Sequence, residues 1–119
     1  VINNQEIIIE SLVNTVNYTM MNDSFNLIMI GVSSDWEERE KKHKRKGWIT
    51  IDAKPGSLKN EGMVKDVIKH VGIKPIPTST EIFQITPELV DILISLQWVG
   101  VKENKNRILT KDHQISLDY

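Results

Sequence analysis

The chain has 119 residues, of which 39% are hydrophobic and 26% charged, with a formal net charge of -1. That length and balance describe one globular domain over 1–119 and exclude both a disordered chain and a globally basic nucleic-acid coat. With no cysteine, disulfides, thiolate nucleophiles and cysteine metal sites are excluded as well.

The opening residues Val1-Ile2-Asn3-Asn4-Gln5-Glu6 lack the basic region and long apolar stretch of a signal peptide. Apolar runs fall well short of the ~20 residues that span a bilayer. The expectation is therefore a soluble, cytoplasmic protein without a membrane partner. Its abundance of Ile, Asn and Lys hints at an AT-rich genome such as that of a virus or phage.

Taken in order, the chain predicts a helix first. Asn3 is a cap with Glu6 three positions on, and Ile9, Leu12, Val13, Val16 and Met20 fall on one helical face. After the break at Asn22-Asp23-Ser24, the apolar run from Phe25 to Val32 reads as a strand buried on both sides. A charged stretch over 35–47 follows, then a strand over Trp48–Ala53 bounded by Gly47 and Pro55-Gly56.

A second helix is expected over 59–71, with Met63, Val64, Val67, Ile68 and Val71 inward and Gly72 as its stop. Prolines at 75 and 77 hold the next segment extended, and Ile82–Ile85 reads as a short strand. Thr86-Pro87-Glu88 supplies an N-cap, a preorganised first turn and an acid at the positive end of a helix running to about residue 97. Trp98–Val101 and Arg107–Thr110, joined by Glu103-Asn104-Lys105-Asn106, predict a closing β-hairpin. The fold class is α+β: a small mixed sheet packed by two to three helices, the C-terminal helix being followed by that hairpin.

The strongest local signal is basic. Lys41, Lys42, Lys44, Arg45 and Lys46 follow directly on Glu37-Glu38-Arg39-Glu40, with Trp36 and Trp48 on either side. On an exposed loop or hairpin tip these cations would neutralise phosphates and the tryptophans would stack on bases. That points to RNA, single-stranded DNA or a nucleotide, bound by a small module of a replication or transcription machine. The competing reading is a solvated charge run in which the glutamates pair with the lysines and Trp48 belongs to the core. A protein-interaction module of the immunity or inhibitor kind, using the same charges against a complementary partner, is a further alternative.

A second pattern is Asp35 followed by Asp52-Ala53-Lys54 at a strand end. It resembles the motif of the PD-(D/E)xK nuclease superfamily over residues 35–54. The resemblance implies two carboxylates holding Mg²⁺, a metal-activated water and a lysine steadying the developing charge, with Glu10 as a further acid. Mg²⁺ enters only under that alternative, and the leading reading needs no cofactor or metal. The closing helix and hairpin look like the last third of a winged-helix domain, with Lys102, Lys105 and Arg107 along the wing. A plain helix–hairpin packing unit accounts for the same residues, because the segment before Thr86 offers no helix-turn-helix. His43, His70 and His113 share no ligand spacing, and no nucleophile triad, P-loop or dinucleotide signature is present.

Overall fold

The computed structural model describes residues 14–110. It contains the strands β1 (Val16–Asn22), β2 (Leu27–Ser33), β3 (Ile49–Pro55) and β4 (Ile82–Gln84). The helices are α1 (Trp36–Arg45), α2 (Leu58–His70) and α3 (Pro87–Ser95). The strands form one sheet in the order β3-β1-β2-β4, and each neighbouring pair is antiparallel. The class is α+β as the sequence implies, but the sheet is antiparallel throughout rather than mixed. β2, α1 and β3 form a split unit, in which α1 crosses over β1 to bring β3 to its far side.

Three of the expected elements are corrected. The helix expected from Asn3 to Met20 falls partly on residues 1–13, outside the described residues, but Val16–Asn22 is strand β1. It is a central strand, buried on both faces, so it lacks the polar alternation that would have marked it. The charged stretch is not a loop but helix α1. The C-terminal hairpin is absent: 101–104 form turns and 105–110 are helical. Gly100 has φ +74, and its α-carbon lies so close to the Asp52 side chain that an added Cβ would collide with it.

The sheet's two faces build two cores. On one, Met21, Ile28, Ile30 and Phe83 pack beneath Val64 and Ile68 of α2, Leu89, Val90 and Leu93 of α3, and Trp98 and Val101 beyond it. On the other, Tyr18, Met20, Met29 and Trp48 form a smaller cluster against Trp36 of α1. Met63, Val67 and Val71, expected to face inward, are 58%, 39% and 47% exposed, because α2 uses the Val64–Ile68 side instead.

Helices α1, α2 and α3 end alike. Gly47, Gly72 and Gln97 take positive φ one residue past the cap. Their N–H groups reach back to Lys44, Lys69 and Ile94, and those of Trp48, Ile73 and Trp98 to His43, Ile68 and Leu93. Each is the paired 6→1 and 5→2 arrangement that satisfies the last helical carbonyls, with an apolar residue turned back onto the helix. At the other end of α3, Thr86 caps as expected, its Oγ1 accepting from the Leu89 N–H at 3.2 Å.

Candidate functional site

Helix α1 forms because Asp35 caps it, accepting from the Glu38 N–H at 3.4 Å. The first turn holds Glu37 and Glu38, and the last holds Lys42, His43, Lys44 and Arg45, each sign set against the helix dipole. Lys41 pairs with Glu37 and Glu38 at 3.6 and 3.9 Å, and Lys44 with Glu40 at 3.5 Å. These are the i,i+3 and i,i+4 contacts of a solvated helix, each of small energy.

The inner face of α1 is unusual. It presents Trp36, Glu40 and His43 at helical spacing, all half-buried, and no fully buried residue. The Trp36 ring lies 4.7 Å from that of Tyr18. Glu40 accepts from the Thr50 hydroxyl at 2.6 Å, and His43 Nε2 lies 3.4 Å from the Tyr18 hydroxyl. Burial, with the Glu81 carboxylate adding to it, pushes the Tyr18 phenol up to about 12. Burial, then the nearby Arg39 and Lys46 charges, holds the His43 imidazole below its usual value.

Of the expected basic residues, Lys42, Arg45 and Lys46 carry no carboxylate within ion-pair distance among the described residues, and all three are exposed. Lys41 and Lys44 are already engaged. The two tryptophans do not flank this end as the sequence suggested. Trp48 is 7% exposed and belongs to the smaller core, drawn in as the apolar residue that closes α1. Trp36 lies at the opposite, acidic end, about 14 Å away along the helix axis at 1.5 Å per residue.

A different aromatic residue occupies the basic end. Phe25, at the tip of the β1–β2 turn, is 71% exposed. The register Asn22↔Leu27 closes this turn. Gly47, which ends α1, sits against it, since a Cβ there would lie 3.8 Å from Asn22 Nδ2. From β4, Gln84 Nε2 donates to the Asn26 carbonyl at 2.9 Å. The turn and the α1 C-terminus thus share one end of the sheet. Sequence reasoning absorbed Phe25 into the apolar run of β2. Its position after Asp23-Ser24, inside a turn signal, was the available clue.

Of the three residues of the nuclease-like motif, Asp52 and Lys54 pair with each other, while Asp35 is used as a helix cap. Asp35 caps α1, which lies over the Tyr18 face. Asp52 is the register partner of Thr19, on the face where the Thr19 hydroxyl donates to the Val99 carbonyl at 2.6 Å. Lys54 pairs with Asp52 at 3.6 Å and borders a polar cleft of about 440 Å³, also lined by Asn17, Asn60, Gln97 and Lys102. Among the described residues no cluster of three or more His, Cys, Asp or Glu has the geometry to hold a metal. Of the proposed wing, Lys105 pairs with Asp91 at 3.6 Å and stands, with Arg107, on the closing helical residues.

Comparison with protein-family models, with curated proteins and with solved structures returns no match to this chain. No helix among the described residues is long and apolar enough to cross a membrane.

Proposed function

We propose that the protein is a small binding module for single-stranded nucleic acid, using the sheet end that carries Lys42, Arg45, Lys46 and Phe25. The observation behind this reading is three cations at one helix terminus with no carboxylate at ion-pair distance among the described residues, at the same end of the sheet as an aromatic ring left in solvent. Cations on a rigid helix supply the sequence-independent attraction to phosphates. An exposed ring at a turn tip gives an unpaired base a face to stack on, worth about 1–3 kcal/mol in single-strand binders. A duplex keeps its bases stacked inside and cannot use the ring in this way, so single strands are the favoured ligand.

The test is fluorescence anisotropy with short labelled oligonucleotides at low and physiological salt. Binding is expected to weaken with salt, with a slope in log K of roughly -0.7 per phosphate contact. Replacing Lys42, Arg45 and Lys46 by alanine should flatten that slope. Phe25→Ala should weaken binding while leaving the slope unchanged. Absence of binding at low salt to any RNA or single-stranded DNA tested would remove the proposal. The same cations would then be the place to look for an acidic protein partner.

A further inference from the structure

A second cleft, of about 590 Å³, lies beneath the C-terminal half of α2 and the segment that follows it. Its floor is apolar: Ile68 and Phe83 are 0% and 3% exposed, with Ile73 and Pro75 beside them. Its rim is cationic, carrying Lys65, Lys69 and Lys74 against a single acid, Asp66. Lys65 is already held by Glu61 at 3.3 Å and Glu81 at 3.9 Å. Lys69 and Lys74 have no carboxylate at ion-pair distance among the described residues.

The helix end itself does not set the charge at this mouth. The Ile68 and Lys69 carbonyls that would face it accept from the Ile73 and Gly72 N–H groups at 3.2 and 3.0 Å. What remains is an apolar floor with two uncommitted ammonium groups at its edge. The volume lies within the range of roughly 300–1,000 Å³ typical of small-molecule sites.

We propose that this cleft binds a small amphipathic carboxylate, its hydrocarbon part on Ile68, Ile73 and Phe83 and its head group between Lys69 and Lys74. A neutral apolar molecule would leave the two cations unanswered, and a cationic one would be repelled by them. A small inorganic anion would not cover the floor. The site is independent of the nucleic-acid reading and stands without it.

Decanoate, kept below its micellar concentration, is the probe, followed by amide chemical shifts of the full chain. Saturable shifts centred on Ile68, Gly72, Ile73 and Phe83 are expected. Decylamine and decanol should bind at least tenfold more weakly. The double variant Lys69→Glu with Lys74→Glu should lose at least tenfold in affinity for decanoate while keeping its far-ultraviolet circular dichroism, since both side chains are exposed. The proposal is overturned by absence of saturable shifts, by shifts centred elsewhere, by decylamine or decanol binding as tightly as decanoate, or by unchanged affinity in the folded double variant.

Discussion

The Tyr18 hydroxyl and His43 Nε2 lie 3.4 Å apart, and this contact ties the centre of the sheet to the basic helix. Tyr18 is fully buried in β1, whereas His43 stands within one helical turn of the exposed cations of α1. Its neighbours at Arg39 and Lys46 are positive, so a proton on His43 would meet repulsion as well as lost solvation. These surroundings favour the neutral imidazole, which can share a hydrogen bond with the phenol.

A pH dependence follows. The folded His43 titrates below the ordinary 6.5, so as pH falls through that value the unfolded chain takes up a proton that the folded one refuses. Stability from this group is complete above the unfolded value and is lost as pH drops toward the folded one. Thermal melts should therefore show wild type losing more stability between pH 7.5 and pH 5.5 than His43→Gln does. Equal losses in the two proteins would show that His43 titrates as it would in water.

Gly31 faces Tyr18 across the β1–β2 pair, and a Cβ at this position would run into the Tyr18 ring. Gly31→Ala should cost about 1–3 kcal/mol, the usual range for overpacking a filled core. Gly62, on α2 with nothing near its missing Cβ, is the control. Gly62→Ala should be neutral or stabilising by up to about 1 kcal/mol. Urea denaturation of both variants checks the contrast.

Leu93 is 0% exposed in the larger core, and Leu93→Ala should cost about 2–5 kcal/mol. Thr86→Ala, which removes the cap of the same helix, should cost about 1 kcal/mol. A Leu93→Ala loss below half a kcal/mol in denaturant melts, or a Thr86→Ala loss as large as that of Leu93→Ala, would contradict the packing described.

Of the three helix-ending positions with positive φ, only Gln97 is not glycine. A side chain there bears the steric cost of the left-handed region, which glycine avoids. Gln97→Gly should accordingly stabilise the protein, by about 0.5 kcal/mol once the extra freedom of the unfolded chain is counted. Gly72→Ala, at φ +91 with open space around it, should destabilise it by about 1 kcal/mol. Denaturant midpoints moving the other way would mean that these helix ends relax on substitution.

The parts legible in the sequence were those with a local chemical signature: the cap at Thr86, the stop at Gly72, and the β-branched run of β3. β2 was legible as an unbroken apolar run. β1 was not, because Val16 and Met20 keep a helical interval by accident in a strand whose burial hides its alternation. α1 was missed for the opposite reason. Its inner face of Trp36, Glu40 and His43 is mostly polar, so apolar periodicity had nothing to report. The helix is written instead in Asp35 and Glu38 as cap and partner, and in Glu37–Lys41 and Glu40–Lys44 as i,i+4 pairs. At the candidate site the cations were visible, but which of them are free, and which aromatic residue accompanies them, depend on the helix and on the turn at Phe25.

A layer built like α1 has a consequence for motion. Hydrogen exchange registers local openings whose free energies follow the apolar surface each one must expose. α1 carries no buried residue, whereas α2 and α3 contribute Val64, Ile68, Leu89, Val90 and Leu93 to the larger core. Its amides should therefore exchange through a low-lying excursion that leaves the other layers folded. In that excursion Tyr18, Met20 and Met29 would meet water on a sheet that is otherwise intact. A ligand gripping Lys42, Arg45 and Lys46 would suppress the excursion, and its arrival would be read in the exchange rates of the whole helix rather than in any change of shape.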